Sequence, residues 1–198
     1  MGTLTTIKSY TFEKYNNIPS NLVIPPCVTD IGNYAFRNWN DVISVNLMGV
    51  IRIGNSSFTS QHELKDIKFC DRLISIGSQA FSNTAITSLT LPDSLTSVGY
   101  GAFKNCRGVT SLCIPPSLTG IEHSAFEGCT GLTSLTLPGC WTKIEHSAFY
   151  GCRGLTSLTL PDSLTTIEYS AFEGCTPGSL GQPTLWVGRG VQFPLPGG

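Results

Sequence analysis

Residues 154–176 read GLTSLTLPDSLTTIEYSAFEGCT, and residues 131–153 read GLTSLTLPGCWTKIEHSAFYGCR. The string recurs as GVTSLCIPPSLTGIEHSAFEGCT over 108–130 and as AITSLTLPDSLTSVGYGAFKNCR over 85–107. Upstream it weakens but keeps its phase. Leu64, Ile67, Phe69, Leu73, Ile76, Ala80 and Phe81 form one copy, 22 residues long. Val42, Val45, Leu47, Ile53 and Phe58 form another, and Leu22, Ile24, Pro25, Val28, Ile31, Ala35 and Phe36 an earlier one. A half copy over 4–17 precedes these seven and begins in mid-repeat. One such unit cannot cover its own apolar face. Copies must stack into a solenoid, and about three are needed for stability.

The frame is L-x-x-L-x-L-P-x-x-L-x-x-I-x-x-x-A-F-x-x-C. Its first half alternates apolar and polar residues at period two, the pattern of a half-buried strand. Pro92, Pro115, Pro138 and Pro161 end that strand, because proline donates no ladder hydrogen bond. The second half returns along another face, and a Gly-Cys or Asn-Cys pair turns the chain back. With strands about 4.8 Å apart, seven copies make a rod or arc roughly 34 Å long.

This repeat resembles the BspA-type leucine-rich repeats of bacterial surface antigens and protist families, over residues 4–176. The resemblance implies a leucine-rich-repeat solenoid of the α/β horseshoe class, dominated by β structure. A parallel sheet lies on one face, with short strands or single helical turns on the other. It also implies a non-catalytic role in binding protein partners, often at a cell surface. The chain is short for that family, residues 1–10 show no basic-then-apolar layout of a secretion signal, and the first copy is read as starting inside a repeat. We expect a single solenoid over 1–176 and a Gly/Pro-rich tail over 177–198. The tail holds Leu185, Trp186, Val187, Val191, Phe193 and Leu195, so a last capping strand is expected at 184–187. An open N-terminal half repeat and an apolar tail suggest ends covered by neighbouring subunits of a larger assembly.

A formal charge of −1, from 12 Lys+Arg and 13 Asp+Glu, excludes an electrostatic nucleic-acid binder. Charged residues make up 13% of the chain, while Thr (22) and Ser (21) supply its polarity. No apolar run suggests a membrane span. Eight cysteines with no secretory signal favour an intracellular, reducing compartment over the cell surface, and no C-x-x-C pair marks a zinc or redox site. Residues 1–6 match an N-myristoylation pattern and Asn55-Ser56-Ser57 a glycosylation sequon.

Cys106, Cys129, Cys152 and Cys175 share one phase. Stacking brings them near enough for disulfides, and the simpler expectation is a structural ladder of small buried thiols. Glu122-His123 and Glu145-His146 also stack, followed by Glu168-Tyr169. They could hold zinc, but a solvated face of stacked rings is the preferred reading, so no metal and no cofactor is expected. No nucleophile constellation, G-x-S-x-G or H-E-x-x-H occurs, so the chain is not read as an enzyme.

The outward residues of the first strand are the partner-binding candidates. Downstream they are hydroxyl columns, led by Thr87, Thr110, Thr133 and Thr156. Upstream they vary, with Ile43, Asn46, Lys65, Asp66 and Lys68. Specific binding needs variety, which favours the upstream patch. β-propensity alone also explains the threonines. The function expected is therefore a protein-interaction or scaffolding module, with a BspA-like surface adhesin as the alternative. Ice or crystal binding by the Thr/Ser columns is a remote one, since a sheet twists.

Overall fold

The structure is a computed structural model that describes residues 4–15 and 17–175. The expected capping strand at 184–187, the rest of the tail and the start of the myristoylation pattern lie outside these residues. The chain winds as a stack of coils built from short parallel strands. In chain order these are β1 (Thr6–Ile7), β2 (Asn21–Val23), β3 (Asp30–Ile31), β4 (Ser44–Leu47), β5 (Arg52–Ile53) and β6 (Asp66–Phe69). They continue with β7 (Ser75–Ile76), β8 (Ser97–Val98), β9 (Ser111–Cys113), β10 (Ser134–Thr136), β11 (Lys143–Ile144), β12 (Ser157–Thr159) and β13 (Thr166–Ile167).

Equivalent residues of successive coils pair in register: Ser134 with Ser157, Leu135 with Leu158, Val45 with Ile67. The main face carries β2-β4-β6 and β9-β10-β12; the second face carries β1-β3-β5-β7-β8 and β11-β13. No helix occurs among the described residues. Of the two expectations for the return path, short strands are therefore realised and helical turns are not. The physical reason is local. The residue before each Ala-Phe pair, or before Ser57-Phe58 at the same phase (Tyr34, Ser56, Gln79, Gly101, Ser124, Ser147, Ser170), has φ between 52° and 57°. Left-handed residues of this kind cannot continue a right-handed helix.

The core is a column. Phe12, Phe36, Phe58, Phe81, Phe103, Phe126, Phe149 and Phe172 stack ring on ring, with centroids 5.1–5.7 Å apart and planes within 4–15°. Such offset stacking suits aromatic quadrupoles and buries large apolar area. A backbone ladder runs beside it. Phe58 N–H donates to Ala80 O, Phe81 N–H to Ala102 O and Phe103 N–H to Ala125 O, at 2.8–2.9 Å.

Both sheets are interrupted beside the coil that starts at residue 108. On the second face, Gly32, Gly54, Gly77 and Gly99 let adjacent backbones approach; a Cβ on Gly99 would lie 2.7 Å from Ser78 N. The next residue at this phase is Glu122; its N–H still donates to Val98 O (3.1 Å), but the sheet stops at β8. On the main face, Thr133 N–H donates to Thr110 O (2.8 Å) and Thr156 N–H to Thr133 O (2.9 Å). Among the described residues no such rung joins Thr110 to Thr87. The preceding corner explains this: four residues separate Phe81 from Ile86, against five between Phe103 and Val109. Segment 87–91 keeps the register of the coil before it, with Asp66 opposite Ser88, but beside the shorter path it holds only that single bridge and the bond Thr87 N–H to Lys65 O (3.1 Å).

Phe126 is 1% exposed and Thr133 faces solvent. Phe126→Ala is expected to lower stability by about 3–5 kcal/mol, and Thr133→Lys by under ~0.5 kcal/mol. Urea unfolding of the two variants checks this; similar losses would show that the faces are misassigned.

Candidate interaction surface

Strands β2, β4 and β6 place the varied residues side by side. Their register aligns Asn21 with Ser44 and Asp66, and Val23 with Asn46 and Lys68. Leu22, Val45 and Ile67 point inward between them, so the intervening side chains must point out. Lys65 N–H donates to Ile43 O (2.9 Å), which fixes those two as neighbours. Ile43, Lys65, Asp66 and Lys68 are exposed and Asn46 is half-buried, its Oδ1 accepting from Met48 N–H (3.2 Å). Two exposed apolar residues escaped the sequence reading, Val23 (64%) and Met48 (57%). Val23 shares the phase of Asn46 and Lys68, so the frame contained that signal.

The downstream threonines differ. Thr133 Oγ1 donates to Thr110 O (2.9 Å) and Thr156 Oγ1 to Thr133 O (3.2 Å). These hydroxyl protons serve the solenoid itself. Thr87 stands apart, across the missing rung, so the hydroxyl lattice does not run unbroken along the face.

The four cysteines form the expected buried column, and all are free thiols. Their role is more specific than space filling. Cys106, Cys129, Cys152 and Cys175 donate through sulfur to the carbonyls of Phe81, Phe103, Phe126 and Phe149, one coil back, at 3.2–3.3 Å. At the same phase upstream, Trp39 Nε1 donates to Phe12 O (2.8 Å) and Gln61 Nε2 to Phe36 O (2.7 Å). The position thus requires a buried donor, because an unsatisfied carbonyl there would be costly. Thr84 differs: in the shortened coil it turns to its own Phe81 O (2.9 Å). Burial pushes the Cys106 thiol up to about 11. Burial and the neighbouring Cys106 raise Cys129, and the Cys175 thiol and burial raise Cys152.

On the second face His123 meets His146 edge to face at 6.1 Å, and His146 stacks on Tyr169 at 5.8 Å. The carboxylates beside them are engaged, since Lys143 bridges Glu145 (3.1 Å) and Glu168 (3.0 Å), and those bonds raise the lysine's pKa. Among the described residues no three His, Cys, Asp or Glu side chains gather to hold a metal. Asn55, of the sequon, belongs to an amide ladder: Asn33 Oδ1 accepts Asn55 N–H (2.7 Å) and Asn55 Oδ1 accepts Ser78 N–H (2.8 Å). No helix of the described residues is long and apolar enough to cross a membrane.

The BspA type leucine rich repeat region matches residues 2–110 and 97–180, in 6 copies. The chain belongs to this family. Its coils are similar to those of the T. pallidum leucine-rich repeat protein TpLRR. That likeness has a TM-score of 0.74 at 25% identity, over 84% of this chain and 81% of that one. The pneumococcal vaccine antigen PcpA shares the fold at a TM-score of 0.52 and 17% identity, over 74% of this BspA-type chain and 44% of the antigen. No curated protein matches it.

Two outcomes follow for the cysteines. In native protein a thiol reagent is expected to modify the exposed Cys27, Cys113 and Cys140 quickly, and the five buried cysteines only on unfolding. Peptide mapping of the labelled sites reads this. The raised Cys106 value also sets a sign. Stability is fully present below the unfolded thiol's pKa near 9.0 and falls as pH rises toward about 11, because only the unfolded chain releases the proton there. Unfolding free energy measured across that window should decline less steeply in Cys106→Ser, whose hydroxyl stays protonated.

Proposed function

We propose that this chain is a non-catalytic binding or scaffolding module that receives a protein partner on the β2-β4-β6 part of its main face. The observation carrying this reading is the contrast along one sheet face. Downstream, hydroxyls repeat, and those of Thr133 and Thr156 are spent on the solenoid's own carbonyls. Upstream, Val23, Ile43, Asn46, Lys65, Asp66 and Lys68 differ from coil to coil and stand clear of the backbone ladder. Extended faces of stacked repeats suit extended partners, and exposed apolar residues beside charged ones supply both contact types that an interface uses. A scaffold and a surface adhesin would use the same patch and differ in where the partner resides.

A photoreactive residue at position 68 is expected to capture a discrete partner in the native source. The same probe at Thr136 or Tyr169 is expected to capture none. Equal capture from all three positions would refute the assignment of the face. Capture on intact cells rather than in lysate would select the adhesin form.

A further inference from the structure

Between the Cys-phase residue and the next main strand, the full coils spend two residues, as in His62-Glu63, Arg107-Gly108 and Gly131 with Thr130. The coil ending at Thr84 spends one, Ala85. The missing residue leaves a notch of about 520 Å³ at this corner, floored by Ala85 and Gly108 and walled by His62, Asn83, Asn105 and Arg107. No carboxylate of the described residues lines it. The acid of the adjoining turn, Glu127, is held by Lys104 at 2.9 Å. Among the described residues neither His62 nor Arg107 makes an ion pair. Asn105 Nδ2 donates to Asn83 Oδ1 (2.9 Å), and Asn105 Oδ1 lies against Gly128, so the Asn83 amide N–H groups remain as donors.

We propose that this notch is a carboxylate-binding subsite for an acidic peptide lying along the main face. The inference deepens the partner-binding reading and rests on it. A guanidinium fork pairs with a planar carboxylate through two parallel hydrogen bonds, and the imidazole and Asn83 amide add donors beside it. The notch adjoins the main-face columns: a Cβ on Gly108 would meet Thr87 Cγ2 at 3.2 Å. Lys65 and Lys68 lie on the same face one coil upstream, on either side of Asp66, so two lysines beside one aspartate leave a net positive approach to the notch that an acidic strand complements.

NMR titration of the intact protein, following Arg107 Nε–H and Gly108 N–H, reads the notch without any partner. Three probes separate the sources of the carboxylate: glutamate blocked at both termini, N-acetylglycine and glucuronate. Saturable shifts with either peptide-like acid are expected, and Arg107→Gln should weaken that binding about tenfold or more. His62→Ala, also at an exposed position, is a second variant expected to weaken it. Saturation by glucuronate alone, no shift at Arg107, or unchanged affinity in both variants would each overturn the proposal. Crosslinking from position 68 reports on the main face separately. Capture there without carboxylate binding sinks the notch alone, and the reverse sinks the partner surface alone.

Discussion

No coil of this protein can satisfy its own backbone. The turns that carry each Ala-Phe pair leave carbonyl and amide groups pointing along the stack, and only the neighbouring coil can pair them. The phenylalanine column and the donor column answer the same demand from two sides. Rings 5.1–5.7 Å apart set the spacing, and a Trp, Gln or Cys donor closes the Phe carbonyl one coil away. A third column does the same at the corner after proline. Ser94, Ser117 and Ser163 donate to the carbonyls of Leu73, Leu95 and Trp141. Where Cys140 replaces that serine, the indole of Trp141 takes over and donates to Leu118 O (2.5 Å).

This shared demand explains why small departures from the repeat have large local effects. The upstream coils close together on the second face through Gly32, Gly54, Gly77 and Gly99. The downstream coils approach instead at the corner before the main strand, where a Cβ on Gly108, Gly131 or Gly154 would lie 2.4–2.7 Å from a carbonyl oxygen. The two ways of nesting meet at the coil that begins at residue 108. There the strands of both faces lose partners, while the Phe ladder runs through: Phe103 N–H still reaches Ala125 O at 2.8 Å. The stack stays joined along its aromatic side and opens at its corners, which is where the notch lies.

Surface chemistry follows the same division. Regular downstream coils present regular hydroxyls, of which Thr133 and Thr156 bond back to the strand. Irregular upstream coils present two lysines, an aspartate, an asparagine and aliphatic groups, none of which the ladder needs. Function in such a protein is therefore to be sought where the repeat is least faithful.

The period alone was enough to read the parallel stack, the inward Leu, Ile and Phe positions, the shared phase of the cysteines and the outward residues on the main face. Each follows from alternation within a strand and identity between coils. The alternatives it left for the return path were decided by backbone torsion, since nothing in Ser147 or Tyr34 as letters announces a left-handed residue. The donor role of the cysteine phase was hidden because Trp, Gln and Cys look unrelated until their partners are seen to be the same carbonyl. The exposed Val23 and Met48 and the notch at Ala85 depend on how neighbouring coils slide against one another. That displacement is set by contacts between Cβ atoms and backbones 22 or 23 residues apart, a distance in space that spacing along the chain does not measure.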